Sequence, residues 1–524
     1  MNTSNYNHLN ILDLPNEILV MIINKLNMAD VLYSLVDVNE RFNRLIFDPL
    51  YIHHLDMTIN SSLDHIISID KQISSICEII LSRIQHQIKR LTVEPHSIKP
   101  ILSFNYSQLY SLSLVNFPEK ILLQYFTDDL ILHDLFAKQI THLNINILNK
   151  TPKEYSIVRT YFFTSILSLC KRLINLNFCY FSDQDLPVSV YNLPPPNFMS
   201  LTLTNLKIHV EIIDDCLDLL DGRLNCLSTL IIKITQISST ISNTDNITKL
   251  PKLKYFSLIS YNYTSHYDDL VCPLLHRMIN LEELKLCLFV RRFYSIYIDG
   301  IQLHDQILIY MPRLNKFTFS IKTRVVNKNI RINLSSNENI QRSFIGKKYG
   351  QVDSYVHTRS TETKGECHIY SFPYEFEYFH DLNISFPGGM FHKVRNLMMV
   401  DTRPFEHKLF KLISQDFPFL QHLYIYNDES RKYKEDSFPF ITFPHLTLLH
   451  LQFAHVNYVE LFLLKKYTHL PNLLNLYIRY ESLAKITNNF TNDIVHFNFD
   501  KLKGLHILEL FVGSQSFHKY FTFL

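Results

Sequence analysis

The chain has 524 residues, 47% of them hydrophobic, and 51 basic against 49 acidic side chains give a formal net charge of +2. That length calls for several domains and a large buried core, and near-neutrality gives no electrostatic footing for nucleic acid or an anionic membrane as partner. With no apolar run of about 18 residues and no apolar signal core in "MNTSNYNHLN", the expected location is cytoplasmic or nuclear.

The first predicted element is "LDLPNEILVMIINKL", from Leu12 to Leu26. Pro15 suits a first helical turn, and Ile18, Leu19, Ile22, Ile23 and Leu26 make an apolar stripe at helical spacing. Asp30 is placed to cap a second helix. Three short helices over about 45 residues make a core too small to stand alone comfortably, so the segment needs a partner or a neighbouring domain. In order and spacing, Leu14, Pro15, Glu17, Ile18, Leu19, Ile22 and Leu26, then Asp30, Val31, Leu35, Val38, Arg41 and Phe42, resemble an F-box. The family often carries Trp where Arg41 and Phe42 stand here. The resemblance implies a three-helix F-box over 9–57 that docks a Skp1-like adaptor and, through it, a cullin. Leu14, Pro15, Ile18, Leu19, Ile22 and Leu26 would be the adaptor-binding residues. The alternative is that they only pack onto the neighbouring part of the same chain.

Downstream, one pattern recurs: apolar, two residues, apolar, one residue, apolar. It begins at Ile88, Leu109, Ile140, Leu173, Phe198, Leu227, Leu253, Leu281 and Leu314, and again at Val394, Leu420, Leu446, Leu473 and Leu505. Its fourth and sixth positions share one face of a short strand. The stretches before Leu173, Leu281 and Leu473 carry helical periodicity, and Pro196, Pro251, Pro312, Pro418, Pro444 and Pro471 sit where a helix must give way to an extended lead-in. A period of about 25 to 33 residues resembles leucine-rich repeat proteins. The usual Asn or Cys of the turn after the strand is irregular, with Asn116, Asn205 and Asn427 one position early. The resemblance implies an α/β fold: the F-box followed by a right-handed β/α solenoid, or horseshoe, over 65–320 and 394–524. Between them, 321–393 reads as an irregular insertion or degenerate repeats, with "VDSYVHTR" and "ECHIYSF" as the arms of a hairpin.

Chemistry-bearing motifs are scarce. The pairs Asp128-Asp129, Asp214-Asp215 and Asp268-Asp269 read as helix caps and dipole partners. Eight cysteines without a CxxC pair read as buried thiols of a reducing compartment, and sequons such as Asn60 and Asn246 as Asn-rich composition. No HExxH, Walker loop, G-x-S-x-G or G-x-G-x-x-G occurs, and no metal or cofactor is expected.

The expected function is therefore that of a non-enzymatic substrate receptor of a cullin-based, SCF-type ubiquitin ligase. The F-box would hold the adaptor and the repeats a target protein, so that proximity raises effective concentration. Strand residues facing away from the core would line the concave side. In the C-terminal repeats these include His422, Tyr424, Tyr426, Leu448, His450, Gln452, Tyr477 and Arg479, with His422, Tyr424, Tyr426, His450, Tyr477 and Arg479 as the candidate target-binding set. A strand-loving aromatic surface without a ligand would look the same. The rival functions are an F-box scaffold acting outside ubiquitination and an enzyme with an unrecognised pocket.

Overall fold

The structure is a computed structural model that describes residues 11–58, 73–127, 130–147, 156–178, 187–190, 199–239, 249–326, 334–347, 349–358, 364–430, 440–507 and 515–521. Asp128-Asp129, Asn60, Asn246 and Pro196 lie outside the described residues. The chain divides into two compact units. The first is Met1–Asn262 with Asp268–Leu284 and Tyr310–Asn315, and the second is Tyr263–Tyr267, Lys285–Ile309 and Lys316–Leu524.

The first unit begins with a short helical turn, Ile11–Asp13, and four helices: α1 (Asn16–Ile23), α2 (Met28–Leu35), α3 (Glu40–Ile46) and α4 (Pro49–Ile52). Pro15 is the residue before α1, where its missing N–H costs no helical hydrogen bond. α2 is capped by Asn27, whose side chain accepts from the N–H groups of Ala29 and Asp30; the expected cap, Asp30, lies one turn inside. Arg41 fastens the segment, its guanidinium donating to the carbonyls of Leu12 and Leu14 and to Asn16 Oδ1. Leu19, Ile23, Val31, Leu32, Phe42 and Ile46 form the small core beneath it.

Beyond the helices the same unit pairs parallel strands in chain order: β1 (His54–Asp56), β2 (Arg90–Val93), β3 (Ser111–Phe117), β4 (His142–Ile147), β5 (Asn175–Phe178), β6 (Asn205–Ile212), β7 (Thr229–Gln236) and the first part of β8 (Tyr255–Thr264). Register puts Leu55, Leu91, Leu112, Leu143, Leu176, Leu206, Leu230 and Phe256 side by side, every one buried. This leucine row is the core of the unit, because each strand buries its apolar face only when a neighbour extends it. Two copies of the motif are shifted from where the sequence suggests. The strand following Phe198 uses Leu203, Leu206 and Ile208, and the last strand uses Leu502 and Leu505 rather than starting at Leu505.

The second unit holds a hairpin and a second sheet. β9 (Glu283–Phe293) and β10 (Lys316–Val326) precede β11 (Gln351–Thr358) and β12 (Lys364–Phe372). β11 and β12 pair antiparallel, as the sequence suggests for "VDSYVHTR" and "ECHIYSF", and β12 pairs antiparallel with β10. Then come β13 (Tyr378–Leu382), β14 (Asn396–Val400), β15 (His422–Asn427), β16 (Ile441–Thr442), β17 (Leu448–Ala454), β18 (Thr468–His469), β19 (Asn475–Tyr477) and β20 (Gly504–His506). The six-stranded sheet runs β13-β14-β15-β17-β19-β20, all parallel, while β16 and β18 pair separately. Its core row is Phe379, Leu397, Leu423, Leu449 and Leu476. Asp401, just after β14, accepts from the N–H groups of Ile384 and Arg403. Asn427, ending β15, donates to the Arg403 carbonyl and accepts from Glu429 N–H, so side chains fasten the turns after these strands.

These sheets overturn the expected fold of a three-helix F-box followed by a leucine-rich repeat horseshoe. The architecture is mixed: a twelve-stranded sheet in the order β1 to β10, then β12 and β11, is antiparallel at that end, and a six-stranded and a two-stranded sheet are separate from it. The N-terminal segment has four helices, and its β1 belongs to the large sheet. The physical reason is that the six-residue motif specifies a strand with one buried face and nothing more. Either a parallel or an antiparallel neighbour satisfies that face, and where a sheet ends is set by the loops.

Candidate functional site

On α1 the apolar stripe divides. Leu19 is 1% exposed and packs inward with Ile23, while Ile18 (41%), Met21 (64%), Ile22 (37%) and, just beyond the helix, Leu26 (52%) face solvent. Leu14 is half-buried and Pro15 exposed. Of the six expected adaptor-binding residues, Leu19 therefore serves the core and Pro15, Ile18, Ile22 and Leu26 are free to meet a partner. Tyr33, Val38 and Leu50 of the same helical segment are exposed as well. Exposed apolar side chains at this density on one small element mark a surface that gains by being covered.

The second surface is built by register in the six-stranded sheet. The residue after each core leucine points to the opposite face, and across β14, β15, β17, β19 and β20 these are Met398, Tyr424, His450, Tyr477 and His506. Ring centroids lie 5.5 Å apart for Tyr424 and His450, 5.2 Å for His450 and Tyr477, and 4.2 Å for Tyr477 and His506, the last two pairs within 15° of parallel. A second row adds Tyr426 and Phe453, 5.3 Å apart, with Tyr426 5.8 Å from His450. Rings stacked along the strand-to-strand direction turn their edges outward, so the face offers C–H edges, phenol oxygens and imidazole nitrogens. Burial among the rings holds the His450 imidazole below its ordinary range, against a backbone hydrogen bond that works the other way, so it is neutral at pH 7.

Five of the six expected target-binding residues are thus brought together: Tyr424, Tyr426, His450 and Tyr477 in the stack, and His422 in the flanking row Asn396, His422, Leu448, Asn475 and Gly504. Arg479 lies past the end of β19, where it precedes the helix Tyr480–Ile486 and reaches Asp428 Oδ1 at 3.7 Å. Gln452 does not face outward as alternation suggests. Register shifts so that Tyr424 pairs His450 but Tyr426 pairs Phe453; this bulge buries Gln452 and turns Phe453 out. Phe453 and His506 are the members that sequence reasoning missed. His506 is legible once the last motif is aligned on Leu502 and Leu505; nothing in the sequence announces the bulge. Gly504 makes room for the end of the row, since a Cβ there would fall 2.4 Å from Asn475 Oδ1 and 3.0 Å from His506 Nε2.

The first unit provides an internal comparison. Residues at the same strand position there are Asp56, Thr92, Ser113, Asn144, Asn177, Lys207, Ile231 and Ser257. None of these eight is aromatic and most are small and polar, so strand propensity alone does not account for the ring row of the second unit.

Two buried polar clusters of the second unit bear on bond chemistry. Lys322 donates to the Asp381 carbonyl at 2.7 Å and lies 3.6 Å from Glu366 Oε2 and 3.5 Å from Asp381 Oδ2. Arg324 Nε donates to Glu366 Oε1 at 2.8 Å. Burial would raise the Asp381 carboxyl, but Lys322, His380 and Arg324 outweigh it and hold it below its ordinary range. Two cations balance two anions, as in a structural ion network. In the other cluster Ser385 Oγ is 3.0 Å from His357 Nδ1, yet Arg403 Nη2 is 2.8 Å from the same nitrogen. A guanidinium only donates, so it occupies the one lone pair that a serine nucleophile would need as its base. Among the described residues no group of three or more His, Cys, Asp or Glu is arranged to hold a metal ion, seven cysteines are unpaired thiols, and no helix is long and apolar enough to cross a membrane. No protein-family model matches the chain, and no curated protein matches it either.

Proposed function

We propose that the chain is a bridging receptor: its N-terminal helices dock a Skp1-like adaptor of a cullin-based ubiquitin ligase, and the ring face of its second unit holds a target protein. The observation that carries this reading is the exposed set Ile18, Met21, Ile22 and Leu26, which lies within the segment whose Leu14, Pro15, Glu17 and Ile18 resemble an F-box. The chain itself performs no bond chemistry in this reading; it raises the effective concentration of a target lysine near the transferring enzyme.

The test is co-purification of the full chain with the adaptor. Ile18→Asp and Leu26→Asp, at exposed positions, should abolish adaptor capture while shifting stability by no more than about 0.5 kcal/mol. Leu19→Ala, which opens a cavity, should cost about 2–5 kcal/mol. An adaptor that does not bind the full chain, or binds Ile18→Asp as well as the parent, defeats the proposal. Capture without ubiquitin transfer to a ring-face ligand would move the reading to a scaffold.

A further inference from the structure

We infer that the first unit carries a binding site for a small amphipathic anion, a carboxylate on a short alkyl chain, between residues 219–227 and 249–253. The site goes beyond the bridging role and shares no residue with the adaptor-binding helices or the ring face.

These two stretches enclose a cavity of about 350 Å³. One wall is the end of the helix Ile213–Leu219 and the turn leading to β7, and the other is the lead-in to β8. Gly222 makes the first turn with φ of +113°, a conformation that L side chains rarely adopt. Arg277 ties the walls together. Its guanidinium donates to the Leu220 carbonyl at 2.7 Å, and its own carbonyl accepts from Leu250 N–H at 2.9 Å. Asn280 Nδ2 donates to the Pro251 carbonyl at 2.9 Å. The cavity is therefore held open by the fold itself. Its lining separates by chemistry. Leu219, Leu220, Leu224, Leu227, Leu250 and Leu253 make the apolar part, with Leu250 the most open of them. Lys249 and Lys252, both exposed, are its only charged lining residues. Among the described residues neither lysine has a carboxylate within ion-pair distance; Lys252 Nζ lies 3.9 Å from Cys226 Sγ. The acids of the adjoining turn are balanced elsewhere. Arg223 Nε donates to Asp221 Oδ2 at 2.7 Å, and burial raises the Asp218 carboxyl to about 6 against the charge of the same arginine. An apolar space with two uncompensated cations and no anion in its lining selects a ligand with an apolar body and one negative head. At about 30 Å³ per non-hydrogen atom, the share of a water molecule in the liquid, the cavity holds about twelve such atoms, the size of decanoate.

The experiment is calorimetric titration of the full chain with straight-chain carboxylates below their micelle concentrations. Affinity should rise about fourfold per methylene from hexanoate to decanoate and level off beyond it. Decanol and decyltrimethylammonium, which keep the chain and lose the negative head, should bind about tenfold more weakly. Lys249→Glu combined with Lys252→Glu should lower decanoate affinity by about tenfold. Asn225→Trp, which fills the cavity from an exposed lining position, should abolish binding, while Lys99→Glu, exposed elsewhere on the same unit, should leave it unchanged. No binding of decanoate to the full chain overturns the inference. So does binding that both lining variants leave intact, or decanol bound as tightly as decanoate. Capture by phosphatidylserine vesicles without binding of monomeric decanoate would assign the lysines to a membrane surface and overturn it as well. Adaptor capture through Ile18, scored on the same preparations, reports separately on the proposed function.

Discussion

At the scale of single residues, the interior of the second unit stakes stability on neutral histidine. His368 is buried with Nε2 2.9 Å from Ser320 Oγ and Nδ1 3.2 Å from Tyr355 OH, while Ser320 Oγ is 3.2 Å from Tyr374 OH. Burial first, and then the charge of Lys322, hold its imidazole well below the ordinary value. In the unfolded chain the same group takes a proton near pH 6.5. Below that pH the unfolded state binds more protons than the folded one, so stability falls as pH falls, by about 1.4 kcal/mol per unit for this group, until the depressed folded pKa is reached. Urea midpoints between pH 7.5 and 5.5 should show that loss, and His368→Gln should flatten it by about one proton. An unchanged slope would show that His368 is protonated in the folded chain. None of this was legible beforehand: "ECHIYSF" reads as a strand, but the sequence does not show that its histidine meets a serine from Lys316–Val326 and a tyrosine from Gln351–Thr358.

At the scale of elements, what sequence reading captures is which residues make a strand face, because two-residue alternation is a local property. Tyr424, Tyr426, His450 and Tyr477 are foreseeable on that ground. What it misses is where alternation is interrupted. The bulge in β17 has no signature in "LLHLQFA", yet it decides that Phe453 rather than Gln452 joins the rings. Deleting Gln452 removes the extra residue and leaves Leu449 and Leu451 inward with His450 and Phe453 outward. The deletion variant should therefore fold and bind the ring-face target protein within about twofold of the parent, because register on both sides is preserved. Titration by fluorescence anisotropy measures this. Loss of binding would mean that the bulge aims the rings rather than merely accommodating a residue. On α1 the same limit operates differently: helical spacing identifies the stripe from Ile18 to Leu26 but not its division, since only the neighbours of Leu19 and Ile23 reveal which side is sealed.

At the scale of the whole molecule, parallel neighbours in chain order follow from strands separated by helical crossovers, as from β1 to β5 and from β6 to β7. The start of a second sheet at β13 depends on loops whose course no periodicity encodes. Charge, by contrast, is a global quantity that the sequence states outright. With 51 basic and 49 acidic side chains, the molecule as a whole does not steer a partner over long range. Association should therefore proceed at the rate of neutral encounters, about 10⁵–10⁶ M⁻¹s⁻¹, and be nearly independent of ionic strength. Stopped-flow association of the ring-face target protein at about 0.05 M and about 0.5 M salt, values that bracket a Debye length of about 10 Å, should give rate constants within about twofold. A fall of about tenfold would assign recognition to charged groups such as Arg479 and Asp428, and the rings would then be scaffolding for an ion pair rather than the binding surface.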